Sequence, residues 1–177
     1  MQRADARANR SQIVEAARDT FAAHGLDAPM RSVAQRAGIG VATLYRHFPT
    51  RTDLVRTVLA DRVEACTRRV QAALADPDPW RALAATVLDF ADSQIRYRAL
   101  NEALLNSFAP ERRAHAAALD TLVARATAAG TLRPGVDSGD VRAGLVALAA
   151  LRNRPPQLIT KLADLVLAGL KAPSPLA

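Results

Sequence analysis

The chain has a single cysteine, Cys66, among its 177 residues, so no intrachain disulfide can form. One thiol fits a reducing cytosol, and the expected location is cytoplasmic. Aromatic residues make up only 4% of the chain, and β-branched residues are sparse beside Ala and Leu, which favours helix over sheet. Lysine is limited to Lys161 and Lys171. The three histidines, His24, His47 and His115, are scattered, and no His/Cys cluster has metal-ligand spacing. There is no glycine-rich phosphate loop and no nucleophile with an evident base. No metal, cofactor or enzymatic activity is therefore expected. The longest strongly apolar run, Ala143 to Leu151, is far too short to span a bilayer. The start, Met1-Gln2-Arg3-Ala4-Asp5, leads into no apolar segment, so no secretory signal is expected.

What the chain does have is helix-forming residues and positive charge. Half of it is hydrophobic, and its length allows a sizeable core in one domain or two small ones. The formal charge is +7 and the isoelectric point about 10.9, a balance suited to a polyanionic partner. Nearly all the cations are arginine, whose planar fork suits phosphate and guanine. The codon bias of a G+C-rich genome produces the same excess of Arg and Ala. Residues 1–62 hold 10 basic and 6 acidic groups, against 14 and 11 in the rest, so positive charge is only mildly denser at the start.

Periodicity and breakers divide the chain into about nine helices. Residues 1–9 read as a loose basic arm, and Arg3, Arg7 and Arg10 can extend a contact through it. Ile13, Val14, Ala17, Phe21 and Ala22 share a helical face that ends at His24-Gly25. A second helix begins near Pro29, with Val33, Ala34 and Ala37 inward. Gly38-Ile39-Gly40 breaks the pattern. A third helix is expected to turn Val41, Leu44 and Phe48 inward before Pro49. Thr50 or Thr52 caps a fourth helix reaching about Ala75. Asp76-Pro77-Asp78-Pro79 separates it from a fifth, Trp80 to Arg96. On that helix Asp89, Asp92 and Arg96 read as a surface charge pair. Further helices are expected over Leu100–Phe108, Pro110–Ala129, from a cap at Asp137 or Ser138 to Leu151, and Pro156–Leu170.

Two short helices joined by a glycine turn, Met30 to Phe48, make a helix-turn-helix, whose second helix enters the major groove of DNA. Ala42 is small enough to let the backbone approach DNA. Thr43 can bond phosphate or offer its methyl to thymine, and Arg46 can reach guanine or phosphate. Tyr45 and His47 suit phosphate.

The segment Arg18 to Val58 resembles the N-terminal domain of TetR-family regulators. The resemblance rests on Ile13, Ala16-Ala17, Phe21, Gly25, Val33-Ala34, Ala37-Gly38, the string Thr43-Leu44-Tyr45-Arg46-His47-Phe48-Pro49, Arg51 and Leu54. It implies that Arg31, Thr43, Tyr45, His47 and Arg51 contact DNA, with Arg46 at the variable position that sets sequence preference. Pro29 stands where the family often has a capping Thr, and Gly40 and Ala42 stand where it often has Ser and Gly. Two polar phosphate contacts are thereby put in doubt.

By the same resemblance the expected architecture is all-α. Residues 1–52 form the DNA-binding domain, and 53–177 a helical effector-binding and dimerisation domain. Val141, Leu145, Leu148 and Leu151, with Gly144, Ala147 and Ala150 among them, stripe the eighth expected helix. Leu158, Ile159, Leu162, Leu165, Val166 and Leu170 stripe the ninth. A two-fold four-helix interface is expected from Leu145, Leu148, Leu158, Leu162, Leu165 and Val166. Cys66, Trp80, Phe90, Tyr97, Asn101, Leu104, Phe108 and His115 are candidates to line a pocket for a largely hydrophobic effector, though each also suits plain core. The function implied is a ligand-responsive repressor that binds a palindromic operator in double-stranded DNA as a homodimer. A transcriptional activator of the same fold, or a helical ligand-binding protein that has lost DNA binding, is the alternative.

Overall fold

The computed structural model describes residues 2–98, 100, 101 and 108–173, with side chains from residue 9 on. The described residues form eight helices: α1 Gln2–His24, α2 Met30–Arg36, α3 Val41–His47, α4 Arg51–Ala75, α5 Pro79–Arg96, α6 Ala109–Ala128, α7 Ser138–Ala150 and α8 Pro156–Leu170. The expected helix over Leu100–Phe108 lies largely outside the described residues. α1 begins at Gln2, so the loose arm expected over residues 1–9 is instead helical from Gln2. Ala4, Ala6 and Ala8 are strong helix formers, and no Gly or Pro intervenes. Extending a helix that already exists needs no new nucleus.

The chain divides into two compact units, Met1–Glu64 with Ala99–Ser107, and Ala65–Arg98 with Phe108–Ala177. The first unit thus extends past the expected limit at residue 52, into α4. In it α1 packs on α2 and α2 on α3. Ile13, Ala17, Phe21, Val33, Leu44, Phe48, Leu54 and Val58 are fully buried. The turns are specified locally. Gly38 takes φ +64° after α2, and the Ile39 amide donates to the Ala34 carbonyl at 3.0 Å, a Schellman closure. Thr50 caps α4 reciprocally with Asp53: the Asp53 amide donates to Thr50 Oγ1 at 3.1 Å, and Thr50 Oγ1 donates to the Asp53 carboxylate at 2.7 Å.

In the second unit α5 packs against α6, α7 and α8. Leu83, Val87, Leu122, Val141, Leu148, Ile159 and Ala163 lie in one buried cluster. Asp137 caps α7 through a reciprocal box with Asp140. Arg125 on α6 satisfies carbonyls at the end of α4, donating to Leu74 O at 2.9 Å and also to Asp76 O. An antiparallel bridge joins Leu132 to Lys171, pinning the loop after α6 to the residues following α8. On α5, Asp92 and Arg96 pair at 2.7 Å as expected, whereas Asp89 lies 3.9 Å from Arg69 on α4. No helix among the described residues is long and apolar enough to cross a membrane.

Candidate nucleic-acid interface

α3 is held on its scaffold by few side chains. Leu44 and Phe48 are buried, and Phe48 leaves the helix through a non-helical backbone at φ −136°. Arg10 of α1 lies 4.2 Å over the Phe48 ring and donates to the His47 carbonyl at 3.3 Å. A cation thus sits at the negative end of α3 and serves one of its orphan carbonyls. Gln12 similarly donates to the Ala37 carbonyl at 3.0 Å, just beyond α2.

This attachment leaves a continuous outer face. Ala42, Tyr45 and Arg46 are exposed, and Thr43 and His47 are half-buried. Arg46 donates to Thr43 Oγ1 at 2.8 Å, so the two side chains act as one polar group. Arg31 is exposed near the start of α2. Val41 corrects the sequence reading: expected inward, it is 41% exposed. Arg51 has an internal task as well, because its Nη1 donates to the Leu26 carbonyl at 2.6 Å. Its remaining donors are the ones that can reach a phosphate.

Among the candidate effector residues, Cys66, Trp80, Phe90, Tyr97, Phe108 and His115 belong to the second unit and Asn101 to the first. Leu104 lies outside the described residues. Trp80, in the first turn of α5, lies against the Lys171 ammonium at 5.4 Å, and Phe90 packs on the buried cluster. Tyr97 caps the far end of α5, about 25 Å from Trp80 at the helical rise of ~1.5 Å per residue. Phe108 precedes α6 in the left-handed conformation, φ 56°, uncommon for an aromatic residue.

Cys66 and His115 do meet: Sγ lies 3.7 Å from Nδ1. Thr67 Oγ1, a partner the sequence reading missed, lies 3.1 Å from His115 Nε2. Burial pushes the His115 pKa down, against an opposing pull from Glu111, so the surroundings favour the neutral imidazole.

Of the candidate interface residues, Leu148 is corrected. It is fully buried in its own chain's core and has no surface left to give a partner. Leu145, Leu162 and Val166 are half-buried, while Leu158 and Leu165 are exposed. Val146, missed from sequence, is 70% exposed.

Two short helices joined by a glycine turn, the second with an open polar face, define the helix-turn-helix class of DNA-binding regulators. Comparison with known proteins narrows the class. Residues 13–58 match the bacterial regulatory proteins of the tetR family, and residues 78–172 match the C-terminal domain of SbtR-like transcriptional regulators. The chain belongs to the TetR family of bacterial transcriptional regulators.

Its relatives include the transcriptional repressor KstR of Mycolicibacterium smegmatis, 35% identical over 58% of this chain and 51% of that protein. The chain thus spans about half the length of that repressor. A TetR regulatory protein from Mycobacterium vanbaalenii is 35% identical over 97% of this chain and 100% of its own, with a TM-score of 0.72. The regulator SCO0520 of Streptomyces coelicolor is 33% identical over 93% of this chain and 99% of its own, with a TM-score of 0.71.

Proposed function

We propose that this protein is a ligand-responsive repressor that binds a palindromic operator as a homodimer in the bacterial cytoplasm. The observation that carries the reading is the outer face of α3, where Tyr45 and Arg46 are exposed above buried Leu44 and Phe48. Tyr45, His47, Arg31 and the free donors of Arg51 position the helix on phosphates, Ala42 permits its close approach, and Thr43 with Arg46 addresses base edges. The relative KstR is named a repressor, which favours repression over activation.

Dimerisation supplies the second recognition helix about one turn of DNA away, roughly 34–36 Å. The exposed Val146, Leu158 and Leu165 on α7 and α8 support that face as the interface, with Leu145, Leu162 and Val166 beside them. The half-buried Cys66, Thr67 and His115 group supports a polar contact for the effector, and Phe90 and Tyr97 remain candidates for apolar ones. A hydrophobic small molecule bound there shifts the dimer only through its differential affinity for the DNA-competent state.

The test is a gel shift with the purified protein on DNA flanking its coding sequence, at increasing salt. A salt-sensitive complex that prefers one segment is expected. Tyr45→Ala should weaken binding to all sequences, and Arg46→Ala should change which sequence is preferred. Absence of any sequence-preferring complex rejects the reading.

A further inference from the structure

We infer that Val41 reads sequence, by meeting the C5-methyl group of a thymine in each operator half-site. The inference rests on α3 being the recognition helix. Gly40, Val41 and Ala42 follow one another at the start of α3, and none has a side-chain donor or acceptor. All three are exposed, Val41 at 41%. A Cβ added at Gly40 would meet nothing within 4 Å, so no described residue crowds that position.

An apolar turn pressed against polar base edges would leave their acceptors unpaired, and a desolvated, unpaired polar group is costly. The major groove shows one apolar group among its base edges, the thymine methyl. That methyl is therefore the partner that lets Val41 leave water without stranding a polar atom. The polar pair Arg46–Thr43 comes later in the helix, with Arg46 Nη2 on Thr43 Oγ1 at 2.8 Å. Val41 takes no part in the Arg46–Thr43 hydrogen bond, so each can be substituted without breaking the other. The polar reader and the apolar reader are separable.

The experiment uses the full chain and a site selected from random-sequence duplexes. Each thymine of that site is replaced singly by deoxyuridine, which removes only the methyl group. One thymine per half-site should weaken binding about three- to fivefold on losing its methyl, the scale of one buried methyl group. Val41→Ala changes both protomers, so it should match the loss from removing that methyl in both half-sites together, about ten- to twenty-fivefold, and lose nothing further on the doubly substituted site. Val41→Ile should keep the methyl dependence. Alanine is the better helix former and the position is exposed, so far-UV circular dichroism should be unchanged. Sequence-specific binding in which no thymine methyl matters, or in which Val41→Ala keeps the full methyl dependence, overturns this inference and leaves the regulator reading standing. Failure to select any site overturns both.

Discussion

The two units each show apolar side chains to solvent, and the contrast between them separates two kinds of surface. On α3 a single valine, Val41, stands beside exposed Tyr45 and Arg46. On α7 and α8, Val146, Leu158 and Leu165 are exposed with Ala147, Ala150, Ala168 and Gly169 between and around them. A lone branched apolar side chain between Gly40 and Ala42, with Tyr45 and Arg46 a turn further on, suits a groove that is polar almost everywhere. Several apolar residues on small neighbours suit another helix pair, because small side chains let backbones approach. Exposure alone does not distinguish a DNA-facing residue from a protein-facing one. The company it keeps does.

The strongest way to break this comparison is to charge the second surface. Val146→Glu combined with Leu165→Glu should leave each protomer folded but monomeric in sedimentation velocity. Operator affinity should then fall by about two orders of magnitude or more, as paired engagement is lost. A dimer that survives both substitutions would show that the interface lies elsewhere. Leu148→Ala is the control. That side chain is buried in its own chain. It should lower stability by about 2–5 kcal/mol without changing the oligomeric state of the folded fraction.

Next in size is a pair of glycines. A Cβ at Gly144 would lie 2.8 Å from Val166 Cγ1, whereas one at Gly40 meets nothing within 4 Å. Valine's branched side chain has little freedom to yield. Gly144→Ala should therefore lower the thermal midpoint, with overpacking of about 1–3 kcal/mol set against a helix-propensity gain of ~1 kcal/mol. Adding Val166→Ala should relieve it. Gly40→Ala should change stability little. If Gly144→Ala stabilises the protein, α7 and α8 are not in the close contact described.

The first unit was largely legible because its devices are short-range: Phe21 before Gly25, Gly38 after α2, and Thr50 three residues before Asp53. Each is a local chemical rule that needs no knowledge of the rest of the chain. Val41 was misread because Val41, Leu44 and Phe48 have the spacing of one helical face. The helix stops at His47, however, and Phe48 reaches the core by a non-helical backbone, so the periodicity does not apply across that end. The arm over residues 1–9 was misread because it has no apolar stripe, although its alanines suffice to extend a helix. In the second unit periodicity finds the apolar faces of α7 and α8 but cannot say whether Leu148 packs on its own chain or on a copy. Only tertiary structure decides that. Thr67 was missed for a similar reason. Nothing near it in sequence signals His115, which arrives from α6.

The smallest effect sharpens the candidate effector group in the second unit. Burial lowers the His115 pKa in the folded protein below its ordinary 6.5, with Glu111 pulling the other way. The unfolded chain therefore takes up a proton here at higher pH than the folded one. The resulting stabilisation is present above about pH 6.5 and is lost as pH falls toward the depressed folded value. Asp76, held down to about 2 first by its hydrogen bond from Arg81, stays ionised in both states well above its unfolded value of 3.8 and does not confuse this window. Urea midpoints between about pH 7.5 and 5.5 should fall for the parent protein and fall less steeply for His115→Gln. An equal slope in the variant would mean that His115 is as solvated as in the unfolded chain. The group formed with Cys66 and Thr67 would then not be the desolvated contact that the proposed effector site requires.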